Sequence, residues 1–133
     1  MTEFPTADMA LTHILVVSDL AASIEWYRGV LGAELHREYG DSSAVFDFNG
    51  SWLLVVTGGG PTDDKPGVVY APPAEPDLVA HSFTIRVTDC QAAYETLLAR
   101  GAEFLTPPHD WGQETRCFFR DPDGHLFELS EVG

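Results

Sequence analysis

The chain has 133 residues, 44% hydrophobic and 21% charged, a composition that suits one compact domain folding without a disulfide or structural metal. Its 21 Asp and Glu against 7 Lys and Arg leave a formal net charge of -14. So few cations exclude nucleic acid, whose phosphates require clustered Lys and Arg, and they disfavour an anionic membrane surface.

The opening Met1-Thr2-Glu3-Phe4-Pro5-Thr6-Ala7-Asp8 is acidic and broken by proline, the opposite of a secretory leader. No run approaches the ~20 apolar residues of a membrane span. Cys90 and Cys117 are isolated, which fits reduced, buried thiols in a cytoplasmic protein rather than a disulfide framework.

Residues 11–17 are β-branched and aliphatic and predict a strand. Ser18-Asp19 offers a helix cap. Over 20–31, Leu20, Ile24, Tyr27 and Leu31 recur at helical spacing, and Gly32 is a stop. Strands are expected at 33–39, 43–49 and 51–57, with turns at Asp41-Ser42 and Asn49-Gly50. Residues 58–78, with five Pro and the run Gly58-Gly59-Gly60-Pro61, read as a connector. That glycine run lacks the Lys and the following helix of a phosphate loop, so no nucleotide cofactor is expected.

The pattern then restarts. A strand is expected at 79–88, a cap at Asp89, a helix at 90–100 ending at Gly101, and strands at 102–105, 114–120 and 125–131. Val17-Ser18-Asp19 aligns with Val87-Thr88-Asp89, and Gly32-Ala33-Glu34-Leu35 with Gly101-Ala102-Glu103-Phe104. An internal repeat of this kind predicts an α+β fold of two tandem βαβββ modules in a single domain, about 11–57 and 79–131. Each sheet keeps one face free of its helix, and two such sheets would enclose a cleft for a small molecule.

With Trp26-Tyr27-Arg28-Gly29-Val30-Leu31-Gly32-Ala33 after the first cap and Phe119-Arg120-Asp121-Pro122-Asp123-Gly124-His125-Leu126-Phe127-Glu128-Leu129 near the end, the chain resembles the vicinal oxygen chelate superfamily. That superfamily includes glyoxalase I, extradiol dioxygenases, methylmalonyl-CoA epimerases, fosfomycin resistance enzymes and bleomycin resistance proteins. The resemblance implies one divalent metal (Fe, Mn, Ni, Zn or Co), held by His13, His81 and Glu128, with Glu128 also the catalytic carboxylate. It implies a metal-dependent enzyme of glyoxalase (isomerase or lyase) or extradiol dioxygenase type acting on a small oxygenated substrate, and a homodimer. The alternative is a metal-free protein that sequesters a planar or cationic ligand, as bleomycin resistance proteins do.

Register keeps both alternatives open. Relative to the capping Asp19 and Asp89, the family pattern sets its ligand His at positions held here by Thr12 and Ser82, each one residue from a His. A one-residue shift turns a strand side chain to the opposite face, unless a bulge turns it back. In the second half Ser82, Thr84 and Arg86 share one face and His81, Phe83, Ile85 and Val87 the other. For Glu128 the competing reading is an ion pair with Arg116. Trp52, Trp111 and Phe118 would wall a pocket for a flat ligand, or simply pack in the core. Arg86 and Arg116 would clamp an anion, or pair with nearby acids. His36, His109 and His125 read as solvated.

Overall fold

The computed structural model describes residues 3–133, so Met1 and Thr2 of the acidic opening segment lie outside the described residues. The first module consists of β1 (Thr12–Val17), α1 (Leu20–Gly29), β2 (Glu34–Tyr39), β3 (Ser43–Phe48) and β4 (Ser51–Thr57). The second consists of β5 (Phe83–Arg86), α2 (Cys90–Ala99), β6 (Glu103–Phe104), β7 (His109–Asp110), β8 (Glu114–Arg120) and β9 (Leu126–Val132). The sheets run β1-β4-β3-β2 and β5-β9-β8-β6, with β7 also on β8. These are the two expected βαβββ modules.

The repeat extends to atomic detail. Asp19 Oδ1 accepts from the Ala22 N–H at 3.1 Å and Asp89 Oδ1 from the Ala92 N–H at 3.0 Å, closing one free donor at each helix start. Each helix is followed by a glycine of positive φ, Gly32 at 82° and Gly101 at 104°. The following Ala33 and Ala102 donate back to the Tyr27 and Leu97 carbonyls at 2.9 and 3.0 Å.

Both helices pack on the same kind of sheet face. Leu15, Val17, Phe46 and Val55 from the first sheet and Cys117, Phe119, Phe127 and Leu129 from the second are buried in one core. Trp26 crosses between modules, its ring centroid 5.8 Å from that of Phe127 and 6.2 Å from that of Phe119. Cys90 and Cys117 are free thiols buried in this core, with sulfurs 3.9 Å apart.

Some expected elements are shorter. The strand expected at 79–88 is ordered as β only over Phe83–Arg86, because among the described residues its sole neighbour is the parallel strand β9. His81 and Ser82 therefore precede the strand. The strand expected at 102–105 shrinks to β6, and a two-residue strand, β7, appears where a loop was expected. In the connector, the Gly59 and Tyr70 backbones exchange hydrogen bonds of 2.9 Å. A Cβ on Gly58 would sit 2.5 Å from the Tyr70 carbonyl oxygen, so only glycine fits there. Among the described residues, no helix is long and apolar enough to cross a membrane.

Candidate functional site

Strand alternation divides the second sheet into a helix face and an open face. Phe83 and Ile85 of β5, Phe127 and Leu129 of β9, and Cys117 and Phe119 of β8 take the helix face. Thr84, Arg86, Glu128, Ser130, Glu114, Arg116 and Phe118 take the other. Register lines them up in two rows, Arg86–Ser130–Arg116–His109 and Thr84–Glu128–Phe118.

The rows form one polar network. Thr84 Oγ1 donates to Glu128 Oε1 at 2.7 Å, and Arg116 Nε lies 3.9 Å from Glu128 Oε2. Arg86 Nη1 donates to Ser130 Oγ at 2.6 Å, and the Ser130 hydroxyl donates in turn to Glu114. Arg86 and Arg116 both approach the Glu114 carboxylate at 3.5 Å. The Ser130 hydrogen bond chiefly holds Glu114 below the usual carboxylate range; burial opposes it, and the two guanidinium groups reinforce it. Glu128 is 9% exposed, so its charge is nearly desolvated and depends on Thr84 and Arg116.

Aromatic rings border this network. The Arg116 guanidinium carbon lies 5.5 Å from the Trp111 ring centroid and 5.6 Å from that of Phe118. Trp111 is 62% exposed, in the β7–β8 turn where Gly112 has φ 96°, and its ring meets that of His109 at 4.3 Å. Five of the sequence-derived site residues, Arg86, Trp111, Arg116, Phe118 and Glu128, therefore share one face.

The other three stand apart. Trp52 is on the first sheet, its ring 5.2 Å from that of His36. His13 shares the helix-side face of β1 with Leu15 and Val17, and its ring meets Phe83 edge-on at 5.3 Å, at the module junction. His81 is exposed ahead of β5. The bulge that could have turned these histidines is absent from β1, which pairs with β4 in unbroken register from Thr12↔Trp52 to Val17↔Thr57. The face opposite His13 carries Thr12. His125, read as solvated, instead places Nε2 2.8 Å from the Val16 carbonyl oxygen.

A divalent ion would need His13, His81 and Glu128 to converge. Among the described residues, no three His, Cys, Asp or Glu side chains stand close enough to hold a metal. Glu128 is already hydrogen-bonded by Thr84, and the charge nearest to it is the Arg116 cation, which opposes a second cation. Within one chain, the residues present do not fit the metal that the family resemblance implies.

Glu114 and Ser130 were not among the residues singled out from sequence. The available signal was parity: Ser130 shares a face with Glu128, and Glu114 shares one with Arg116.

Comparison with known proteins agrees with the fold. The glyoxalase/bleomycin resistance protein/dioxygenase superfamily matches residues 10–129. The chain is 35% identical over 123 residues to the metallothiol transferase FosB of Lysinibacillus sphaericus (strain C3-41), covering 90% of this chain and 80% of that one. A glyoxalase/bleomycin resistance protein/dioxygenase from Nocardioides superposes with TM-score 0.74 at 25% identity, covering 96% of this chain and 85% of that one. The fosfomycin resistance protein FosX of Listeria monocytogenes superposes with TM-score 0.65 at 20% identity, covering 96% of each. With the repeated βαβββ module and a family match across nearly its whole length, the chain belongs to the glyoxalase/bleomycin resistance protein/dioxygenase superfamily.

Proposed function

We propose that this protein binds a planar small organic molecule on the open face of the second sheet, without a metal ion. The observation that carries the reading is the state of Glu128. The carboxylate that the family pattern would give to a metal is held by Thr84 and faced by Arg116. An exposed Trp111 ring and Phe118 flank the same guanidinium, offering flat apolar surface beside balanced charges. The net charge of -14 favours a neutral or cationic ligand over an anionic one. We expect a homodimer, as the family resemblance implies. Isomerase or dioxygenase chemistry of the glyoxalase or extradiol type would require His13 and His81 beside Glu128, and their positions lend it no support.

The test combines metal analysis with ligand titration. After dialysis with and without Fe, Mn, Ni, Zn and Co, the protein is expected to retain less than stoichiometric metal. Planar cationic dyes should quench Trp fluorescence saturably, and less so in Trp111→Phe. About one metal per chain, lost in Glu128→Gln, would overturn the proposal.

The 35% identity to a metallothiol transferase supports a second reading, group transfer between small molecules on this same face. Incubation with fosfomycin and glutathione, with and without divalent metal, tests it by thiol consumption. Turnover dependent on Arg116 and Glu128 would favour the transferase.

A further inference from the structure

The chain's only two cysteines meet in the core. Cys90 is the first residue of α2 and Cys117 stands mid-strand in β8, 27 positions away, yet their sulfurs lie 3.9 Å apart. The contact has a direction. The Cys117 S–H points to Cys90 Sγ, and the Cys90 S–H points to the Leu129 carbonyl at 3.8 Å. Cys90 is 0% and Cys117 1% exposed, so whatever covers the protein surface leaves the pair untouched.

Packing alone does not require sulfur at either place. The internal repeat maps Cys90 onto Leu20. The row Leu15–Val55–Ala44 of the first sheet matches Ile85–Leu129–Cys117 of the second, so Ala44 stands where Cys117 does. The first module fills this position with Leu20 near the core and Ala44 within it, both apolar. The second module replaces both members with thiols.

Cys90 lies just beneath the surface. Asp89, Gln91 and Ala92 around it are exposed, and helix ends open more readily than helix centres. Opening of this first turn admits a small neutral oxidant, whereas the net charge of -14 repels a bulky anionic one. A disulfide sets its sulfurs about 2.05 Å apart, a closure of roughly 2 Å that draws the start of α2 toward β8.

We propose that Cys90 and Cys117 form a redox-sensitive site, in which a hydroperoxide converts the reduced pair to an intramolecular disulfide that clamps the start of α2 to β8. Cys90 Sγ attacks one peroxide oxygen. The O–O bond breaks, the departing hydroxide takes the thiol proton as water, and Cys90 becomes a sulfenic acid. Cys117 Sγ then attacks Cys90 Sγ, the S–O bond breaks, and the second thiol proton leaves with the hydroxide as water. The thiols lose two electrons and the peroxide gains them. Burial pushes both thiols up, which keeps the resting pair unreactive, and the S–H of Cys117 makes Cys90 the readier nucleophile. The site stands apart from the Glu128 network and does not rest on the function proposed above.

The test treats the full-length, reduced protein with hydrogen peroxide at neutral pH, without denaturant. Alkylation with iodoacetamide after unfolding then counts free thiols. Both cysteines should escape labelling, the intact mass should fall by two hydrogens, and digestion should yield a linked Cys90–Cys117 peptide. The melting temperature should rise by roughly 5–15 °C, the effect of a bridge closing a loop of this length, and return with dithiothreitol. Cys90→Ala and Cys117→Ala should each lose that reversible rise; if either fails to fold, the linked peptide in wild type decides. Two alkylated cysteines after peroxide would overturn the proposal. So would oxygen uptake without a linked peptide, bridges between chains, or a disulfide that forms only in urea. A linked peptide with an unchanged or lower melting temperature would overturn the clamp.

Discussion

The phenol of Tyr27 on α1 donates a 2.7 Å hydrogen bond to Asp121 Oδ2, 94 residues further along the chain. Asp121 Oδ1 accepts in turn from the backbone N–H groups of Asp123 and His125, at 3.0 and 2.8 Å. One buried carboxylate thus organises the turn that covers β1 and ties it to the helix of the other module. Burial pushes Asp121 above the usual Asp range, and the Tyr27 hydrogen bond pulls it back.

Tyr27→Phe should therefore destabilise the protein by about 1–3 kcal/mol, the cost of a buried acceptor losing its donor. Asp121 should then rise further. An acid raised by folding contributes stability that is complete below its unfolded pKa and lost as pH rises through the folded value. The difference from wild type should accordingly be smaller near pH 3 than at pH 7. Urea unfolding at both pH values measures it, and equal differences would refute the assignment.

Burial pushes the Cys117 thiol from 9.0 up to about 12, and neighbouring Cys90 adds to the shift. In the unfolded chain this thiol ionises near its ordinary value. Stability should therefore decline as pH rises above 9 and continue to fall toward about 12. Cys117→Ala should be less stable at neutral pH because of the space it leaves, yet flatter across the alkaline range. Thermal unfolding of both proteins over that range tests this.

His13 and His81 are both exposed, but only His13 touches an aromatic ring, so their substitutions should differ. His13→Ala removes the edge-on contact with Phe83 and should cost about 0.5–1.5 kcal/mol. His81→Ala, at an exposed position ahead of β5, should stay within about 0.5 kcal/mol of wild type. Neither should change retained metal, measured by elemental analysis after dialysis. Loss of stoichiometric metal in both variants would restore the metal-centre reading.

Trp111→Ala tests the binding face directly. The exposed ring leans against His109 at a 54° tilt and lies beside the Arg116 guanidinium without entering the core, so the melting temperature should hardly move. Affinity for a planar ligand should fall about threefold to thirtyfold, the range of a lost stacking or cation–π contact. Isothermal titration with the best dye from the quenching screen reads that change.

Much of the architecture was legible locally. The caps at Asp19 and Asp89, the stops at Gly32 and Gly101, and the Asn49-Gly50 turn all act within a few residues, so spacing alone revealed them. The repeat then supplied the module, and strand parity correctly separated Arg86 and Thr84 from Phe83 and Ile85. The limits of β5 and β6 were not legible, because a strand extends only as far as its neighbour, and the neighbour of β5 is β9, some forty residues away.

What the sequence determined by itself was the repeated βαβββ module, the acidic surface and the face on which each strand residue stands, since all three follow from composition and short-range periodicity. Tertiary structure alone decided that Glu114 joins Arg86, Arg116 and Ser130, that His13 meets Phe83 instead of Glu128, and that Cys90 meets Cys117. Those outcomes depend on register between distant strands and on how a helix packs against them, which no local pattern encodes.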